Sequence, residues 1–347
     1  MYTLDLYNRR LASMPKWLAH NVHYETIMGS VAYGVSSDTS DMDIYGFAIP
    51  PKEMIFHHLA GKIQGFGKNV PSFDNYQQHG IKDIDALGGK GRVYDLNIYS
   101  IVRYFQLVME NNPNMIDSLF TPESCVLHIT RIGQIVRDNR RIFLHKGCWH
   151  TFKGYAYSQL HKASSKEIVK NARDAREFED KYNLPHDTKI EDLDKLIQQG
   201  LVVQDDELVN YKLCLKNGSK RFYNVKSTGL ETKFLYHVVR LLYEVEMILA
   251  EQDLDLQRNR EHLKSIRRGE ISEQEIRDWA SAKEKSLEKL YSDSSLPQVP
   301  DEDKIKLVLI NCLEEHYGNL NNCIVIQDKY LKCLREIQEK IDTTLKL

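Results

Sequence analysis

The stretch MGSVAYGVSSDTSDMDIYGFAIPP, residues 28–51, constrains this chain more than any other. Apolar runs flank it on both sides. His23 to Met28 is expected to be a strand that runs into Gly29-Ser30, and Met42 to Ile49 a second strand that Pro50-Pro51 ends. Gly29-Ser30 ends the first strand and opens a short turn or helix, and Asp41 and Asp43 sit at the start of the second.

Each of these residue types has a chemical reason to be there. A glycine lets a phosphate approach the backbone, and the N–H groups opening a short helix, with the Ser30 hydroxyl, can hold it. Asp41 and Asp43 are two apart at a strand start, so the pleat turns both carboxylates to one face. Two such carboxylates repel unless a cation lies between them, and Mg²⁺ or Mn²⁺ suits oxygen ligands that phosphates and water complete. An isolated Asp-x-Asp is usually a turn or a solvated edge; a Gly-Ser cradle ten residues upstream, between two strands, is far more restrictive. The reaction that uses both parts is attack on the α-phosphate of a nucleoside triphosphate. Such a site calls for a third carboxylate from a neighbouring strand. Asp95, in RVYDLNIYS, is the first choice; Asp83 and Asp85 are weaker because they fall in a glycine-rich stretch.

The rest of the chain divides by character. Residues 61–91 read as loop, with Gly61, Gly65, Gly67, Gly88, Gly89 and Gly91. Arg92 to Leu96 reads as a third strand, followed by a helix with Ile98, Ile101, Phe105 and Val108 at helical spacing. From about Arg131, charged amphipathic segments dominate. Phe234 to Ala250 is the clearest helix; Ile305, Val308, Leu309, Cys312 and Leu313 form a second apolar stripe, and Tyr330, Leu334, Ile337, Ile341 and Leu345 a third. Leu201 to Val225 is expected to be a small β insertion turning at Asn217-Gly218. The expected fold class is therefore α+β, with a catalytic domain at 1–125 and a mostly helical domain at 126–347.

Composition removes some alternatives. The net charge of −2 speaks against wholesale electrostatic binding of nucleic acid but leaves room for a local basic groove. No apolar run approaches the ~18 residues of a membrane span, and no secretory signal is evident. Cys125, Cys148, Cys214, Cys312, Cys323 and Cys333 form no CxxC pair, so free thiols in a cytoplasmic protein are expected. Gly67-Lys68 is not a P-loop: Lys62 stands where a glycine is needed and Asn69 where Ser or Thr is needed.

With these residues in view, the Gly-Ser and SDMDIYGFAIP segments resemble the polymerase-β-like nucleotidyltransferases. More narrowly, NNPNMIDSLFTPE, FKGYAYSQL, KFLYHVVRLLYEVEMIL and LDLQRNREHLKSIRRGE resemble segments of the RlaP- or YcgL-type nucleotidyltransferases of bacteria and large phages, over residues 20–275. The resemblance implies a minimal nucleotidyltransferase palm, a mixed sheet with helices, carrying a helical appendage. It implies Asp41, Asp43 and Asp95 as metal ligands, and Gly29 and Ser30 as phosphate contacts. Members are often encoded near RNA ligases, which suggests an RNA or tRNA end as acceptor. The segment around Lys189 to Lys220 departs from the pattern.

Lys233, His237, Arg240 and Glu244 fall on one polar stripe of the 234–250 helix, either solvated or turned to the cleft with Lys233, His237 and Arg240 on the nucleotide. Tyr155, in Gly154-Tyr155-Ala156 with Gln159, is a core tyrosine or a stacking platform. Arg258, Arg260, Lys264, Arg267 and Arg268 form solvated helix charge or a track for RNA. The rivals to RNA processing are nucleotidylylation of a protein, in the manner of a toxin–antitoxin pair, and a non-catalytic RNA- or protein-binding module. The C-terminal helices could pair two copies of the chain.

Overall fold

The computed structural model describes residues 2–36, 41–55, 72–163, 166–200, 202, 205–228, 231–318, 336–341 and 344. Five strands form one mixed sheet: β1 (Val22–Ile27), β2 (Met42–Ala48), β3 (Asn75–Asp83), β4 (Arg92–Ser100) and β5 (Val126–Ile129). Their order is β3-β4-β2-β1-β5. β2 and β4 are parallel and every other pair is antiparallel.

The helices before β5 are α1 (Tyr2–Asn8), α2 (Lys16–His20), α3 (Gly29–Ala32), α4 (Lys52–Ile55), α5 (Ala86–Gly89), α6 (Ile101–Met109) and α7 (Pro113–Phe120). After it come α8 (Arg131–Asp138), α9 (Cys148–Ala163), α10 (Lys166–Lys181), α11 (Ile190–Gln198), α12 (Asp206–Asn217) and α13 (Lys220–Thr228). The chain continues with α14 (Thr232–Glu251), α15 (Arg260–Arg267), α16 (Glu273–Asp293) and α17 (Glu302–Tyr317).

Strand alternation decides what each face of the sheet meets. Met42 and Ile44 on β2, with Tyr94, Leu96 and Ile98 on β4, pack on Leu6 and Leu18 of α1 and α2. Burying each such aliphatic side chain contributes roughly 1.5–3 kcal/mol. The intervening residues point to the opposite face. There Tyr24 and Phe47 join a larger core with Tyr104 and Phe105 of α6, Ile116 of α7, Phe152 of α9, and Val239, Leu242 and Ile248 of α14. The long helix α14 thus packs into the same core as the sheet, while Asp43 and Asp95 lie on this face where the apolar filling stops.

Local chemistry sets the helix starts on this side. The Ser100 hydroxyl accepts the Arg103 N–H at the start of α6. Asn112 caps α7, and Pro113 occupies its first turn, where its missing N–H costs nothing.

Three expectations need correction. The third strand runs on to Ser100, so Ile98 is a strand residue and the helix begins at Ile101. The glycine-rich stretch is not all loop: residues 75–83 form β3, an edge strand whose register slips between Gln78 and Ile81. Gly61, Gly65 and Gly67 lie outside the described residues, as do Tyr330, Leu334 and Leu345; Ile337 and Ile341 fall in a helical stretch. The β insertion is helical instead. Asp205 accepts the Leu208 N–H to start α12, and Leu208, Tyr211 and Leu215 are buried at helical spacing. They pack with Phe178 and Phe222 in a separate small core.

Candidate active site

The turn after β1 is shaped by the second aspartate. Gly29 has φ +65°, the left-handed region that favours glycine, and a Cβ built on it would stand 2.2 Å from Asp43 Oδ2. The Met28 N–H donates to the Asp43 carbonyl at 2.7 Å, which fixes the turn to β2. Ser30 follows, half-buried, in α3. The strand-to-turn geometry therefore presses the Asp43 carboxylate against the Gly29-Ser30 backbone, and only a residue without Cβ permits it.

Asp95 is the direct register partner of Asp43 on the parallel strand β4. Asp41, exposed, precedes β2. Burial first, then the neighbouring charge of Asp95, raises the Asp43 carboxyl to about 6; Asp41 adds to the rise, and Lys233 and His79 oppose it. This is the electrostatic signature of carboxylates gathered where a cation would relieve them. Among the described residues, no three His, Cys, Asp or Glu side chains form a ready cage. Mg²⁺ does not need one, because it is commonly held by one or two carboxylates plus substrate phosphates and water. Asp43 and Asp95, in register on neighbouring strands, supply oxygen donors of the kind such an ion takes.

The register slip in β3 brings two residues against Asp95. The Gly80 N–H donates to Asp95 Oδ1 at 2.7 Å, and His79 Nδ1 lies 3.4 Å from Oδ2. Asp83 and Asp85 stand apart from this group. Asp83 is buried against Arg9 through two 2.6 Å hydrogen bonds, and the Asp85 side chain is 84% exposed.

The stripe on α14 is not uniformly polar-facing. Lys233 is exposed at the first turn and close enough to act on Asp43. His237 is half-buried, with its ring 4.1 Å from that of Tyr236. Arg240 is enclosed: it donates to Asp117 of α7 and to Glu244 at 2.7 Å, and its guanidinium lies 4.2 Å from the Tyr33 ring centroid. Tyr33 in turn donates to Asp117 at 2.7 Å. The structure thus does not bring Arg240 into the cleft; it fastens the residue that ends α3, and with it the Gly29-Ser30 turn, to α7 and α14. Burial drives the Glu244 carboxyl well above the usual carboxylate range and raises Asp117 as well, while Arg240, facing both, opposes each rise.

Most of the basic run is neutralised within the chain. Arg258 pairs with Glu251, Lys264 with Glu261, and Arg268 with Glu270. Arg267 donates to the Val35 carbonyl at 2.6 Å and lies over Tyr236. Tyr155 is half-buried and accepts from Asn114 at 3.2 Å, and Gln159 is buried. Sequence reasoning missed Tyr33, Asp117 and His79. Only Asp117 carried a signal, its place in the NNPNMIDSLF segment.

A mixed sheet with a Gly-Ser turn pressed on one carboxylate, and a second carboxylate in register on the parallel neighbour, has the layout of a nucleotidyltransferase palm. The family model RlaP, described as the RNA repair pathway DNA polymerase beta family, matches residues 5–301, and the chain belongs to that family. A search of the solved structures returned a nucleotidyltransferase-like protein from Exiguobacterium sibiricum. It is 10% identical over 90% of this chain and 72% of that one, with a TM-score of 0.25. No curated protein matches the chain. No described helix is long and apolar enough to cross a membrane.

Proposed function

We propose that this nucleotidyltransferase moves a nucleoside monophosphate from an NTP to the terminal hydroxyl of an RNA. The observation that carries the reading is the Asp43–Asp95 register pair beside Gly29, with the Asp43 carboxyl lifted by burial and by Asp95. The acceptor class takes support from the family's description as an RNA repair pathway family.

In the proposed reaction the acceptor oxygen forms a bond to the α-phosphorus, the bond from that phosphorus to the bridging oxygen breaks, and pyrophosphate leaves. The hydroxyl proton passes to the Asp95 carboxylate or through it to water. Asp41, Asp43 and Asp95 would hold Mg²⁺ or Mn²⁺, which when bound lowers the pKa of the attacking hydroxyl and offsets charge on the leaving group. Gly29 and Ser30 hold the triphosphate by backbone and hydroxyl contacts. Lys233, at the mouth of the site, sets a positive charge toward the leaving pyrophosphate, with His237 one turn further along. Arg240 acts at one remove, by holding Tyr33 and so the turn.

The test is transfer of label from each α-labelled NTP to RNA, with Asp43→Asn and Asp95→Asn beside the wild type. Label on RNA that both substitutions abolish supports the reading. Label that appears only on protein, or that survives both substitutions, overturns it.

A further inference from the structure

The same sheet face carries a second feature. Beyond Asp43 on β2 comes Tyr45; beyond Asp95 on β4 come Asn97 and Tyr99. The period of two keeps all five side chains on one side. Tyr45 and Tyr99, with ring centroids 6.4 Å apart, are walls of a recess of about 420 Å³ that also takes in Asp74, Asn75, Arg103, Asn112 and Asn114. That volume lies within the range of small-ligand sites, roughly 300–1,000 Å³.

The recess is built rather than left over. Asn97, 5% exposed, donates to the Tyr99 hydroxyl at 2.7 Å and accepts from Gln77 at 3.2 Å. Its register partner on β2 is Tyr45. One buried amide thus sets Tyr99 and stands beside Tyr45 in the sheet. Arg103 opens onto the recess with its charge uncommitted: its side chain donates to the Gln106 amide, and among the described residues it pairs with no carboxylate. Aromatic walls, amides and one guanidinium match a base and a phosphate, and the Asp74 carboxylate suits the hydroxyls of a sugar edge, the parts of a nucleotide.

Position decides which nucleotide. In the order β3-β4-β2-β1-β5, the Gly29-Ser30 turn follows β1 on one side of β2, whereas the recess is walled by β4, the start of β3, and α6 and α7. The carboxylates stand between the two. At ~3.3 Å per residue, Tyr45 lies about 7 Å beyond Asp43 along β2. We infer that the recess seats the terminal nucleoside of the acceptor RNA, its base against Tyr45 and Tyr99 and its phosphate on Arg103. The inference rests on the transfer reading for the word acceptor, but binding tests it separately.

The experiment measures binding of a 5′-fluorescein RNA of about a dozen nucleotides by anisotropy, and of a fluorescent ATP analogue with Mn²⁺, to wild type, Tyr99→Leu and Arg103→Gln. A second RNA has an abasic 3′-terminal residue. The expected result is RNA affinity weakened roughly 5- to 100-fold by either substitution, with the ATP analogue within about twofold of wild type. The abasic RNA should bind the wild type more weakly but lose little more with Tyr99→Leu, since base and ring act as one contact. Arg103→Gln, half-exposed, keeps the test readable if Tyr99→Leu unfolds. Unchanged RNA binding, loss of the ATP analogue instead, or equal losses for intact and abasic RNA would each overturn the inference. If wild type binds RNA in this manner but transfers no label, the transfer reading falls and the recess stands as an RNA-end site.

Discussion

Gly29 and Asp43 occupy each other's space: the position a Cβ would take on Gly29 is 2.2 Å from the Asp43 carboxylate oxygen, and Gly29 sits at φ +65°. Either fact alone penalises a side chain; together they leave no nearby relaxation, because Asp43 is also fixed by its carbonyl bond to Met28. Gly29→Ala is expected to cost about 1–3 kcal/mol of stability and to displace the Asp43 carboxylate. Thermal unfolding beside metal-dependent nucleotide binding checks this. Binding that survives intact would mean that the turn does not shape the site.

Asp43 itself opposes folding for the sake of the site. Its carboxyl is raised from 3.8 to about 6, so the folded state binds a proton more tightly than the unfolded one. Metal-free stability therefore rises as pH falls from 6 toward 4, and at pH 8 the ionised group destabilises. Asp43→Asn is expected to be more stable than wild type at pH 8 without metal, by about 1 kcal/mol after allowance for partial solvent contact. The gain should vanish below pH 4, where both side chains are neutral. The same substitution should lower transfer by on the order of a thousandfold, as loss of a metal-holding carboxylate does. Denaturant melts across pH, paired with the labelled-NTP assay, measure both.

The contrast between Asp43 and Arg240 shows what local sequence can reveal. Gly29, Asp43 and Asp95 were legible because each lies on or beside a short strand, where alternation alone sets the face. Arg240 was not, because its partner Asp117 is 123 residues away and helical spacing could not tell a solvated stripe from an enclosed one. In residues 206–217, Val209, Tyr211, Leu213 and Leu215 alternate like a strand. Yet Val209 and Leu213 are 63% and 56% exposed, and the buried set Leu208, Tyr211 and Leu215 follows a helix. The tertiary core, with Phe178 stacked on Tyr211, decided between two periods that the sequence held at once. β3 was hidden because its slip places Gly80 inside a strand, where glycine ordinarily signals a loop.

The Arg240 cluster makes a prediction that separates its two acids. Arg240→Met leaves Asp117 buried without its cation and should cost about 3–5 kcal/mol. Burial raises the Glu244 carboxyl well above its usual range, so Glu244→Gln, which keeps the shape and the hydrogen bond to Arg240, is expected to cost less than about 1 kcal/mol at pH 7. Chemical denaturation of the two variants settles the order. A Glu244→Gln loss as large as that of Arg240→Met would mean that Glu244 is ionised.

The last prediction concerns α17 and the sheet. His23 of β1 meets His316 of α17, Nε2 to Nδ1 at 3.1 Å, while its other nitrogen lies 2.9 Å from the Thr130 hydroxyl. Only one proton can sit between the facing nitrogens, and burial, followed by the charges of His316 and His128, lowers His23 from 6.5 to about 4. The unfolded chain thus takes up a proton at higher pH than the folded one. Stability from this contact is whole above pH 6.5 and is lost as pH falls from 6.5 to 4. The loss is expected to be on the order of 1–2 kcal/mol, reduced for the pair's partial contact with solvent. His316→Gln keeps a hydrogen bond to His23 without adding a charge, and should flatten part of that slope. Melting temperatures of wild type and His316→Gln between pH 7.5 and 4.5 measure it; parallel curves would show that the histidine pair does not carry the pH response.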